Sequence, residues 1–151
     1  MRPALLLALA LGCVGTLGAC SDGTVTVPTP TPSTTAVSQA CDELDASLPE
    51  TLAGQTSRTT SPDSPLTAAW GDPAITLTCG VPQPSALRAT SQVVSVNGVT
   101  WFPEQLTAGY RFTTVGRTAD VQVDVPDHYA PEAGVLTDIA GALKAADPKD
   151  R

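Results

Sequence analysis

Few residues in this chain are placed to do chemistry. Trp70-Gly71-Asp72-Pro73 sets an indole beside a carboxylate at the mouth of a strand. That pairing can hold a sugar or a cationic group by stacking and hydrogen bonding. In the competing reading, Trp70 fills core and Asp72-Pro73 shapes a turn, so the exposure of Trp70 separates the two. Arg117 follows Thr113-Thr114-Val115-Gly116 on a tight turn. Its guanidinium suits a bound carboxylate or phosphate, or else a neighbouring acid of the same chain. Arg88 lies in a Pro/Ser/Ala segment with no evident partner. His128 is the sole histidine, within Asp127-His128-Tyr129. A Ser-His-Asp hydrolase needs such a base in reach of a nucleophile, with an acid behind it, and the chain has no Gly-x-Ser-x-Gly elbow. Asp42, Glu43, Asp45 and Glu50 offer carboxylates for calcium or glycoside chemistry, but their spacing suits a solvated helix face. No P-loop, dinucleotide fingerprint or H-E-x-x-H occurs, so no cofactor and no metal is expected.

The four cysteines divide by position. Arg2 gives a minimal positive start, and Ala4–Leu17 is apolar and uncharged. A membrane-spanning helix needs roughly 20 residues, so this stretch fits a signal-peptide core instead. Leu17-Gly18-Ala19-Cys20 closes it. The small residues at 18 and 19 let the chain enter a peptidase site extended, and the thiol of Cys20 can accept a diacylglyceryl group. This segment resembles the lipobox of bacterial lipoproteins. It implies that Met1–Ala19 is removed and that Cys20 becomes a lipidated first residue. The partner so implied is the membrane, on the outer, extracytoplasmic face. Cys13, after Leu11-Gly12, is a second candidate with a shorter apolar core. Cys41 and Cys79 then remain as the one pair in an oxidising compartment, and a disulfide between them is expected. Two distant cysteines and one histidine do not make a four-ligand zinc set.

The 151 residues suffice for one domain. Aromatics are scarce, at 4% of the chain, which limits how much a small sheet can bury. The formal net charge is −7, and loss of Arg2 with the leader makes it more negative. That balance opposes binding to nucleic acid or to anionic headgroups through charge. Residues 20–37 are rich in Thr, Pro and Ser and are expected to form a linker. Pro28, Pro30 and Pro32 favour polyproline II, which could hold a domain up to roughly 50 Å from its anchor. The globular part is expected over 38–147, with a tail at 148–151.

Within that part, Ser38 can cap a helix whose apolar side is Cys41, Leu44 and Leu48. Gly54–Pro65 reads as a polar loop. Ile75, Leu77 and Cys79 alternate with Thr76 and Thr78 in a half-buried strand. Asn97-Gly98 predicts a type I′ hairpin pairing Val96 with Val99, Ser95 with Thr100 and Val94 with Trp101. Gly116-Arg117 predicts a second hairpin, by a type II′ turn, pairing Thr114 with Ala119, Phe112 with Val121 and Tyr110 with Val123. Asp120 and Asp124 then sit diagonally from Arg111. After a break at Pro126–Pro131, Pro131-Glu132 opens a helix burying Val135, Leu136, Ile139, Ala142 and Leu143. The expectation is an α+β fold: a mostly antiparallel sheet of about five strands, two helices on one face, and one disulfide. Strand order does not follow from these patterns.

Four segments, CDELDASLPETL, AAWGDPAITLTCGV, VNGVTWFPE and FTTVGRTADVQVDVP, occur in this order. Together they resemble an uncharacterised family of exported or membrane-anchored proteins of high-GC Gram-positive bacteria, a domain of unknown function. The resemblance covers roughly Cys41 to Leu143. It implies an envelope location and a paired Cys41 and Cys79, and it supplies no reaction and no catalytic residues. The sequence thus points to a non-catalytic binding or accessory lipoprotein that engages an envelope protein or a cell-wall polymer. Two other readings are an envelope hydrolase using carboxylates near Asp72 and a structural partner in a membrane complex.

Overall fold

The computed structural model describes residues 23–147. The expected leader Met1–Ala19, Cys13, Cys20 and the tail 148–151 lie outside the described residues. Asn97 and Gly98 take φ of 49° and 82°, the paired left-handed conformations of a type I′ turn. They join β7 (Val94–Val96) to β8 (Val99–Leu106) in the register the sequence predicts, with Val94 opposite Trp101, Ser95 opposite Thr100 and Val96 opposite Val99.

From β8 the chain turns into β9 (Gly109–Thr114) and then β10 (Val121–Pro126). Gly109, at φ 137°, passes so close to the backbone of Val125 and Pro126 that a side chain there would collide with it. The β9–β10 register differs from the expected one by two residues. Phe112 pairs with Val123, Tyr110 with Val125 and Arg111 with Asp124. A two-residue shift keeps every side chain on its expected face, so the hydrophobic alternation cannot reveal it. The cause lies in the loop 115–120. The Ala119 N–H donates to the Asp147 carboxylate at 2.9 Å, and the Arg117 guanidinium donates to the carbonyls of Leu143 and Asp147. These groups serve the end of helix α2 (Leu136–Ala146) and do not close a tight turn.

The sheet has eight strands, not about five, and all its neighbouring pairs are antiparallel. The additional strands are β2 (Thr51–Leu52), β3 (Gln55–Arg58) and β5 (Thr67–Trp70), which precede β6 (Ile75–Cys79). Ala53 and Gly54, at φ 51° and 74°, make the β2–β3 turn. An alanine seldom adopts that conformation, and here its N–H is held by the Asp138 carboxylate at 2.9 Å. The segment expected as a loop, Gly54–Pro65, therefore carries β3 and a further two-residue strand, Thr60–Ser61. The spatial order is β2-β3-β5-β6-β10-β9-β8-β7. Two four-stranded halves meet along β6 and β10, where Val121 faces Cys79 and Val123 faces Leu77.

Helix α1 (Thr35–Asp45) and α2 pack on one face of the sheet, as expected. Helix α1 starts three residues before the predicted cap. The Thr34 hydroxyl, not that of Ser38, accepts the Val37 N–H. Its buried residues are Val37, Ala40, Cys41 and Leu44. The second helix instead starts later than predicted, because Glu132–Val135 forms a 3-10 turn first. Cys41 and Cys79 form the expected disulfide, with Cα atoms 5.7 Å apart and both residues within 1% of full burial.

The Thr/Pro segment departs most from expectation. Strand β1 (Val25–Thr26) pairs in parallel with β4 (Thr60–Ser61), separate from the main sheet. The N–H groups of Val25 and Val27 donate to the carbonyls of Thr59 and Ser61, and Val27 is 3% exposed. Pro28 and Pro30 then lie across Thr76, Thr78, Arg111 and Asp124, on the sheet face away from the helices. Pro32 passes Gly80 on the way to α1. The segment is thus a packed strap, not a free stalk. Composition alone misses this because a polar, proline-rich chain has no apolar period, yet two backbone bonds and one buried valine suffice to seat it.

Beyond the backbone itself, the disulfide ties the helical layer to the sheet covalently. Replacing both Cys41 and Cys79 by alanine is expected to lower unfolding stability by about 2–5 kcal/mol. Urea denaturation of the two forms measures it, and an unchanged midpoint would contradict this assignment of stability.

Candidate functional site

Arg58 ends β3, and the sequence does not single it out. It sits beside Ala69 in the β3–β5 pairing. Its guanidinium donates to the Gly71 carbonyl at 2.8 Å and to the Gly23 carbonyl, and lies 3.9 Å from the Asp72 carboxylate. The arginine thus joins the start of the strap to the turn between β5 and β6. Asp72 itself is 91% exposed. A cavity of about 590 Å³ opens here, lined by Gly23, Gln55, Ser57, Arg58, Gly71 and Asp72, among others.

Trp70 lies elsewhere. It is 1% exposed and donates its indole N–H to the Pro49 carbonyl at 3.0 Å. An indole so enclosed has no open face for a ligand to stack on, so of the two readings of this residue the geometry matches the core one. Gly71 takes φ +70°, and a Cβ there would lie 2.5 Å from the Tyr129 hydroxyl and 2.9 Å from the Gln55 Cβ. Tyr129 in turn donates to the Pro73 carbonyl at 2.7 Å. Burial, and next the Asp72 charge, push the Tyr129 phenol above its usual range. The turn 71–74 is therefore clamped from both sides. None of the four described cavities is lined by Trp70, Asp72 and Arg117 together.

A second cavity of about 590 Å³ adjoins the first across β3. The end of α1 supplies Asp45, the chain after it Glu50, and the turn before β5 supplies Asp63. Arg58 is the sole cation among its lining residues, and Ser57, Thr59, Ser64 and Thr67 add hydroxyls. Burial pushes the Asp45 carboxyl up, and the charges of Asp42 and Asp63 add to that. So two of the four acids predicted for a solvated helix face, Asp45 and Glu50, line an open, acidic cleft. Among the described residues, no group of three or more His, Cys, Asp or Glu side chains is arranged to hold a metal. His128 packs edge-on against Tyr129, with ring centroids 5.0 Å apart.

Two further polar clusters lie outside these cavities' acidic wall. Arg111 and Asp124, cross-strand neighbours, form a two-pronged ion pair at 2.8 Å beneath the strap. That hydrogen-bonded pairing raises the arginine's affinity for its proton. In the loop 115–120, Asp120 is driven up to about 6 by burial first and by the Asp147 charge second. Its backbone carbonyl meanwhile accepts the N–H groups of Gly80 and Val81.

A family model described as "Protein of unknown function (DUF3515)" matches residues 3–151. The chain belongs to the DUF3515 family. No curated protein and no solved structure matches it. DUF3515 membership brings no reaction with it, so the site of this DUF3515 chain is described by its own geometry: an acidic cleft and an Arg–Asp cavity of similar volume flanking one strand.

Two expected outcomes follow from this packing. Gly71→Ala meets both a left-handed backbone and a collision, and should cost about 2 kcal/mol or more, seen as a lower urea midpoint. For Asp120, the folded state holds its proton more tightly than the unfolded chain, whose carboxyl releases it near 3.8. Stability therefore falls as pH rises from about 4 to about 6. Asp120→Asn should remove that fall, making the variant more stable than the parent at pH 7 but not at pH 4. Equal differences at both pH values would show that Asp120 is not the titrating group.

Proposed function

We propose that this protein is a non-catalytic binding or accessory module, held on the extracytoplasmic face of the cell membrane by lipid on Cys20. The observation that carries the reading is the buried Cys41–Cys79 disulfide. A disulfide within a core is a structural element, and such bonds persist where the compartment is oxidising. It agrees with an apolar leader ending in Leu-Gly-Ala-Cys. The open cleft lined by Asp45, Glu50 and Asp63 fits a partner that is hydroxyl-rich or cationic, as an envelope polymer or a basic protein surface can be. The same carboxylates oppose nucleic acid. For the hydrolytic alternative, Asp72 would have to act from a position facing solvent, with Arg58 as its one ion-pair partner among the described residues.

Mass spectrometry of the protein isolated from its native membrane tests the anchor. The expected N-terminal peptide begins at Cys20 and carries acyl mass, and Cys20→Ala leaves the protein unlipidated and soluble. A chain that keeps Met1–Ala19 and has no acyl group on residue 20 overturns the reading.

A further inference from the structure

We propose that the β1–β4 corner of the domain seats against the bilayer, with the Arg58–Asp72 cavity open to phospholipid headgroups. This rests on lipid attachment at Cys20, as proposed above. The strap's first described residue, Gly23, is held by Arg58, and β1 follows at Val25 with its backbone bonded to Thr59 and Ser61. Cys20 stands three residues before Gly23. Three residues span at most about 11 Å even when fully extended. The polar layer on each side of the bilayer is itself roughly 5–8 Å deep. An acylated Cys20 thus brings Gly23, and the cavity Gly23 helps to line, to the edge of that layer.

The chemistry of the cavity fits what it would meet. A guanidinium and a carboxylate stand 3.9 Å apart at its wall, and the carboxylate faces solvent. That is the complement of a headgroup carrying a phosphate and an ammonium. The net negative charge of the chain opposes a purely anionic surface, so the occupant is a zwitterionic phospholipid, and the tether supplies the proximity that charge does not.

Lipidated full-length protein in zwitterionic phosphatidylethanolamine vesicles provides the test. A fluorophore is placed at residue 61, in β4, by Ser61→Cys, or at residue 95, in β7, by Ser95→Cys. Six strand spacings put β7 about 29 Å from β3 across the sheet. Headgroup-labelled quencher lipids should quench the residue-61 probe several-fold more than the residue-95 probe. Equal quenching with acyl mass present on Cys20 overturns the seating alone. Absence of acyl mass on Cys20 overturns the anchor reading and this inference with it. Circular dichroism of each labelled protein confirms that the fold is retained.

Discussion

Strand β6 is bound on every side, and the rest of the domain is arranged around it. Its two edges pair with β5 and β10, and its inward residues Ile75 and Leu77 enter the core. Its last residue, Cys79, is bonded to α1. Its threonines Thr76 and Thr78 face the strap. Immediately after it, Gly80 and Val81 donate to the Asp120 carbonyl of the β9–β10 loop. Remove this strand and the two halves of the sheet, the helical layer and the N-terminal segment lose their common contact. The alternation of apolar and hydroxyl residues along Ile75–Cys79 is the local pattern that makes such a two-sided role possible.

The four arginines among the described residues are engaged in holding the fold together. Arg58 bonds two glycine carbonyls, Arg111 pairs with Asp124, Arg117 caps the last carbonyls of α2, and Arg88 bonds carbonyls of its own loop. A planar fork with several donors suits this work better than a lysine would. The acids have few such partners, so the surface near Asp45, Glu50 and Asp63 is left negative. A small domain with little aromatic area thus uses polar ties to backbone carbonyls where a larger core would use packing.

Much of this was legible in the residues, and the failures have physical reasons. Asn97-Gly98 fixes a register because both residues accept a left-handed backbone, and the hairpin follows. The pairing of Cys41 and Cys79 follows from what the other cysteines are expected to do, and it is present. Gly116-Arg117 misleads because a turn motif cannot show that Arg117 and Ala119 bond to a helix 26 or more residues away. Strand β3 is missed because its turn begins at Ala53, a residue that carries no turn signal, and because an edge strand of Gln, Thr, Ser and Arg lacks an apolar face. With it went Arg58, the centre of the site. Its role depends on the carbonyls of Gly23 and Gly71, which lie apart in sequence and which no side-chain pattern marks.

The arrangement of the two half-sheets has a mechanical consequence. The disulfide closes a covalent ring that contains the end of α1, from Cys41, and β2 to β6, while β7 to β10 lie wholly outside it. A pulling force applied at the N-terminus therefore passes into β6 through a bond that does not stretch, and the ring cannot be drawn out. Once the strap and the first turns of α1 ahead of Cys41 have peeled away, the load falls on the seam of four residue pairs between β6 and β10, together with the helix contacts that bridge it. Those are loaded along their strands, so their backbone bonds resist in shear rather than opening one at a time.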